Sequence, residues 1–320
     1  ALNIRFDSYA GESFYNDKMQ PIIEQLEEKG LLKDSNGAKV VELDQYDMPP
    51  CLIVKSDGTS LYATRDIAAA FYRKETYDFH KSLYVVAYQQ NLHFKQWFKV
   101  VELMEQDWAS DLEHVAFGMV SMEDGTLSTR KGKVVLLRDV LEQVRQRCLD
   151  IIQEKSPDLE NKEETAKQVG YGAVVFDVLL NNRIKDITFS FERVLNFDGE
   201  TGPYVQYTHA RCCSVLRRAT GGVCEADFAT LENEEAFSVL TLLHAFPDAV
   251  REACRRNEPS IITRHIVDLA QAFNRFYFEH RILQEDQEKE TCARLMLTDG
   301  VRQVLETGLS LLNIAAPQQM

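Results

Sequence analysis

Three polar segments in the first half of the chain carry residue types that could bind or activate a substrate. Leu61-Tyr62-Ala63-Thr64-Arg65-Asp66 offers a phenol and a carboxylate. Taken alone, it reads equally as a strand-end aromatic followed by a first-turn acid favoured by the helix dipole. Ala87-Tyr88-Gln89-Gln90-Asn91-Leu92-His93 follows an apolar strand and leads into a helix. Ligands of open α/β sheets sit outside the carboxyl ends of strands, and Gln90 and His93 are one helical turn apart, so both can face one ligand. Ordinary helix-start residues give the same pattern. The third segment, Asp124-Gly125-Thr126-Leu127-Ser128-Thr129-Arg130-Lys131-Gly132-Lys133, sets hydroxyls and cations among glycines. That is the composition of a loop closing on phosphates, and also of a solvated basic hairpin tip.

The elements that must position these segments change character along the chain. Residues 1–145 alternate strand and helix signals. A helix over Pro21 to Lys29 precedes a strand over Lys39 to Leu43, entered through an Asn36-Gly37 turn. Leu52 to Lys55 is expected to pair with Thr59 to Ala63 across Asp57-Gly58. Thr64 is then a candidate N-cap for a helix reaching Arg73. The β-rich run Leu83 to Ala87, a helix over Asn91 to Glu105 and a strand over His114 to Val120 together suggest a parallel crossover. Beyond Arg138 strand signals almost vanish, and Ser156-Pro157 offers a helix start. Val169, Ala173, Phe176 and Leu180 line one helix face, as do Ile262, Ile266, Leu269, Phe273 and Phe276, and again Val301, Val304, Leu305 and Leu312. The fold class is α/β followed by all-α, with a boundary near residue 145 and a helical bundle over 146–320. The acidic cluster Glu285 to Glu290 reads as a solvated connection.

Composition narrows the function classes. With 320 residues, 45% hydrophobic and 27% charged, the chain fits one or two globular domains and no fibre or disordered class. A formal charge of −14 argues against a generic nucleic-acid coat and makes any nucleic-acid contact local. Seven cysteines without a Cys-x-x-Cys fit neither a disulfide framework nor a zinc site, and a reducing cytosol is the simplest home. No run approaches the length of a membrane span. Ala1, not Met, opens the chain, which reads as a cut inside a longer polypeptide.

Taken together, the three segments resemble the second half of a class I aminoacyl-tRNA synthetase, most specifically an arginyl-tRNA synthetase. The resemblance rests on Tyr62 and Asp66 as Tyr-x-x-x-Asp, on Gln90 with His93 three further, and on Ser-Thr-Arg-Lys-Gly at 128–132. It extends through Thr201-Gly202-Pro203-Tyr204-Val205-Gln206-Tyr207-Thr208-His209-Ala210-Arg211 to the ending Leu312-Asn313-Ile314, Pro317 and Met320. It implies the second half of a Rossmann-like catalytic domain followed by a helical anticodon-binding domain. The implied activity is ATP-dependent activation of arginine and its transfer to tRNA(Arg), with ATP and Mg2+ as a substrate complex, no resident metal, a cytoplasmic setting and a monomeric parent.

The same resemblance assigns roles to residues. Tyr62, Asp66 and Gln90 would form the arginine pocket, since a carboxylate can accept the planar guanidinium fork through two bonds at once. His93, Gln89 and Leu127 would line the nucleotide site; Ala87 and Gln89 replace the Gly and acid of the family's Gly-x-Asp-Gln-x-x-His pattern. The loop stands where the class carries Lys-Met-Ser-Lys-Ser, so Ser128 with Arg130 or Lys131 would meet the leaving pyrophosphate. None of the histidines at 80, 93, 114, 209, 244, 265 and 280 forms the class His-x-Gly-His signature, which is expected upstream of Ala1.

Between Thr201 and Cys224 the only charged side chains are Arg211, Arg217 and Arg218. This is a locally basic stretch in an acidic protein. Tyr204 and Arg211 fall two turns apart on one helix face, and with Tyr277 and Met320 they are the residues expected at the anticodon. Tyr204 as a core aromatic is the competing reading, and Phe276 is expected in the core. A non-catalytic RNA-binding module derived from a synthetase is the alternative function. A nicotinamide dehydrogenase is disfavoured because no Gly-x-Gly-x-x-Gly follows a strand.

Overall fold

Asn36 and Gly37 both take positive φ (52° and 80°), and the tight turn they make closes β1 (Leu32–Ser35) onto β2 (Ala38–Val41). The computed structural model describes residues 2–58, 62–123, 135–219, 225–284 and 287–320. These divide into two units, Arg5–Gly118 and a second made of Met119–Met320 with the residues before Arg5. In the first unit α1 (Met19–Glu28) precedes the hairpin, and β3 (Cys51–Val54) extends it as an antiparallel third strand on β2.

The pairing expected for residues 59–63 is corrected here. Tyr62 and Ala63 open α2 (Tyr62–Tyr77), so they are helical, and residues 59–61 lie outside the described residues. Thr64 is inside the helix, not its cap. Its buried hydroxyl donates to the Ile53 carbonyl (2.6 Å), which fastens the first turn of α2 to β3. Ala63, Ile67, Ala68 and Ala70 are buried, and the small alanines allow that close approach. β4 (Ser82–Ala87), α3 (Asn91–Leu103) and β5 (Leu112–Phe117) form the expected crossover, with β4 and β5 parallel from Ser82↔Leu112 to Ala87↔Phe117. Trp97, Val100 and Val101 of α3 are fully buried in this unit's core.

The second unit begins with a three-residue strand, β6 (Val120–Met122), so the strand expected over His114 to Val120 is two strands. β6 pairs in parallel with β7 (Ile187–Phe189), a strand too short for its pattern to register in sequence. The rest is helical: α4 (Leu137–Lys155), α5 (Lys162–Leu180), α6 (Phe191–Val194), α7 (Gly202–Arg218), α8 (Glu234–Arg256), α9 (Ser260–Glu279) and α10 (Glu288–Leu311). Ser156 closes α4 instead of starting α5. The residue before α5 is Asn161, which tolerates the left-handed φ of 58° found there. Nor is the acidic cluster all connection, since Glu288 and Glu290 sit in the first turn of α10 and Glu290 pairs with the buried Arg294. Cys51, Cys148, Cys212, Cys213 and Cys254 are free thiols, but Cys292 is disulfide-bonded. An odd count excludes a complete framework without excluding a single bridge. Among the described residues no helix is long and apolar enough to cross a membrane.

Ile262, Ile266, Leu269, Phe273 and Phe276 of α9 are all buried, as their spacing predicts. The approach of α10 to this stripe depends on Gly308, where a Cβ would collide with Cγ2 of Ile266. Gly308→Ala is expected to lower the unfolding free energy by about 1 to 3 kcal/mol despite the helix propensity it adds, because a β-branched neighbour on a packed helix cannot swing aside. Urea unfolding of the two chains side by side checks this.

Candidate functional site

The carboxyl end of β4 is where the first two polar segments meet. The strand runs out at Ala87, a 3-10 turn over Tyr88–Gln90 follows, and α3 starts at Asn91 with Gln90 as its N-cap. Across from it, Tyr62 and Asp66 are one turn apart on α2 and share a face. His93 Nε2 donates to Asp66 Oδ2 at 2.6 Å. The family pattern places these two side chains at different ligands, and nothing in their separation of 27 residues signals the contact. Asp66 stays 40% exposed beside a 26% exposed His93, and the Tyr62 ring is open to solvent. Gln89 and Gln90 are exposed as well.

The layer beneath is rigid. Phe94 stacks on His114 at 4.1 Å, and His114 Nε2 donates to the Val86 carbonyl (3.0 Å), tying α3 and β5 to the last turn of β4. The base of the site is therefore fixed while its rim is polar and accessible, as a substrate site requires. Leu127, Ser128, Arg130 and Lys131, expected to close on phosphates, lie outside the described residues.

The second candidate site is a cleft of about 390 Å³ on α7. Tyr207, Arg211, Arg217, Arg218, Tyr277, Gln319 and Met320 line it together with smaller side chains. Three of the four residues expected at the anticodon, Arg211, Tyr277 and Met320, are thus brought together. Tyr204 is not among the lining residues: it is half-buried against the bundle core, and its hydroxyl accepts from Asn274 Nδ2 (2.9 Å). Tyr207, one turn further along α7 and 42% exposed, lines the cleft where Tyr204 was expected to. The Arg211 guanidinium lies over Tyr207 (4.9 Å) and Tyr277 (5.0 Å), and its Nη1 donates to Asn274 Oδ1. Asn274 Nδ2 also donates to Thr208 Oγ1 (2.9 Å), so one amide holds Tyr204, Thr208 and Arg211 in register. An asparagine amid an apolar helix pattern was the signal available for it.

Met320 reaches the cleft because α7 holds the tail that carries it. Gln206 Nε2 donates to the Ala315 carbonyl (2.8 Å), His209 Nδ1 to that of Pro317 (3.0 Å) and Arg217 Nη1 to that of Gln318 (3.1 Å). Gln206 and His209 are almost wholly buried. The Gly-Pro-Tyr-Val-Gln-Tyr-Thr-His-Ala-Arg motif is therefore largely structural on its inner face. Thr201 caps α7 by accepting from the Tyr204 N–H (3.2 Å), and Gly202 lets the helix start against Phe176. Burial pushes the Cys212 and Cys213 thiols up, so they are unreactive packing groups.

Comparison with known proteins agrees with this architecture. The family described as tRNA synthetases class I (R), catalytic domain, matches residues 1–191, and the DALR anticodon binding domain matches residues 205–320. The chain belongs to the arginine-type class I tRNA synthetases. It is 57% identical over its whole length to an arginine–tRNA ligase of Halothermothrix orenii and 58% identical to one of Clostridioides difficile, covering 56% of each. Thus the chain spans little more than half the length of these relatives. Its fold superposes on a Thermus thermophilus arginyl-tRNA synthetase with a TM-score of 0.89 at 26% identity, covering all of this chain and 61% of that one.

Burial lowers the pKa of His209, against the opposing pull of its bond to Pro317. The folded value lies below that of the unfolded chain, so the unfolded state binds more protons as pH falls. The contribution of His209 is then complete above its unfolded value of about 6.5 and is lost as pH drops below it. The stability difference between the unsubstituted chain and His209→Gln should hold steady above about pH 7 and shrink below about pH 6.5. Urea titrations at a series of pH values measure it.

Proposed function

We propose that this chain is the C-terminal portion of a cytoplasmic, monomeric arginine–tRNA ligase, which activates arginine with ATP–Mg2+ and transfers it to the terminal adenosine of tRNA(Arg). The observation that carries this reading is the pairing, within an arginine-type synthetase, of a carboxylate site at the end of β4 with a cationic aromatic cleft on α7. Asp66 accepts the substrate guanidinium, which offers a fixed fork of donors and never deprotonates. Tyr62 and Gln90 flank it. The carboxylate of arginine then attacks the α-phosphorus of ATP, and pyrophosphate leaves. Gln89 and Leu127 face the nucleotide, while Ser128 with Arg130 or Lys131 meets the charge developing on the pyrophosphate.

On the second unit, Tyr207 and Tyr277 offer ring faces to unpaired anticodon bases, Arg211 supplies a cation pre-set by Asn274, and Met320 adds an apolar contact. Tyr204 supports the reader from behind through Asn274.

In the full-length protein that carries this chain, Asp66→Asn should raise the KM for arginine about ten- to hundredfold in ATP–pyrophosphate exchange, because a charged acceptor becomes a neutral one. The KM for ATP should change little. Equal losses for both substrates would reduce Asp66 to a helix-start acid. Arg211→Ala should weaken full tRNA(Arg) and flatten its salt dependence by about one unit of slope, while an acceptor-stem minihelix binds as before. Filter-binding titrations across salt concentrations read both.

A further inference from the structure

His93 and Asp66 make a polar link between α2 and α3 at the end of β4. We infer that His93 is a positioning residue for the amino-acid carboxylate: its Nε2–H holds Asp66 Oδ2 and so sets the plane in which Asp66 meets a guanidinium. The inference rests on the reading of Asp66 as the arginine acceptor.

A carboxylate is an acceptor only, with about four lone-pair sites on its two oxygens. One donor on Oδ2 leaves both oxygens with a free site, which is what a two-pronged guanidinium needs. It also biases the rotation of the carboxylate about its last bond. A 40% exposed aspartate with no such donor would sample several orientations, and few of them present both oxygens to a fork. His93 is well placed for the task because it is itself held. It rises from the first turn of α3, and its ring packs edge-on against the buried Phe94 (5.5 Å). Phe94 in turn stacks on His114. The chain of contacts from the β5 imidazole to the Asp66 carboxylate is continuous, with ring contacts from His114 through Phe94 to His93 and a hydrogen bond from His93 to Asp66.

Such a role differs from a nucleotide contact in which substrate it affects. The test compares His93→Ala, His93→Gln and His93→Asn in the full-length protein by ATP–pyrophosphate exchange with tRNA present. The unsubstituted enzyme's arginine dependence is the baseline and reports on the activity by itself. His93→Ala should raise the KM for arginine about tenfold, with the KM for ATP within about twofold. Glutamine places an amide N–H close to where Nε2 stands and should recover most of the loss, whereas asparagine is too short to reach Asp66 and should not. A folding defect in the alanine variant leaves the glutamine and asparagine pair to decide, since both keep a polar side chain. Loss confined to ATP, equal losses for both substrates, or equal behaviour of glutamine and asparagine would overturn the assignment.

Discussion

Polar side chains buried on α7 are the constraint on which the second unit depends. Gln206, Thr208 and His209 have almost no exposed surface, so each must find a partner inside the protein. Two of the partners are main-chain carbonyls of the last residues, and the third set runs through Asn274. Satisfying the helix therefore determines where the chain end lies. That placement brings Met320 beside Tyr207, Arg211 and Tyr277 and makes a cleft out of what would otherwise be an exposed helix face. The same helix has two faces: its inner side holds the tail and its outer side offers rings and cations.

The first unit uses a different device. There the site sits at the end of a parallel strand, and the neighbouring helices are fastened at their first turns, α2 by Thr64 to β3 and α3 by ring stacking to β5. Among the described residues two strands form this parallel sheet, and Leu83 and Val85 of β4 are exposed. An apolar strand face open to solvent is unusual for a parallel sheet, whose faces are normally covered. The chain covers 56% of the length of its relative from Halothermothrix orenii.

Much of this was legible from residue order. Helical stripes such as Ile262 to Phe276, the Asn36-Gly37 hairpin and the crossover at Leu83 to Phe117 are local patterns, and burial follows them. The failures have physical causes too. Tyr62 and Ala63 look like strand because a tyrosine and a short apolar run favour one, yet tertiary contacts of Thr64 and the alanines extend the helix over them. β7 is too short to show a period, and a single disulfide at Cys292 cannot be deduced from a count of seven. At the candidate sites, motif spacing points to Asp66, His93 and Arg211. It could not show that His93 binds Asp66, that Asn274 orients Arg211 or that Tyr204 faces inward, since each depends on elements distant in sequence.

The proposed function requires an acidic acceptor on α2 and a cationic cleft on α7 to serve one reaction. Charging of tRNA by the full-length protein with arginine, lysine and citrulline in parallel tests it most directly, because citrulline keeps the shape of arginine without its charge and lysine keeps the charge without the planar fork. Acid-precipitable label is expected from arginine alone, with lysine and citrulline at background. Charging with lysine or citrulline at a comparable rate, or no charging with arginine, would contradict it.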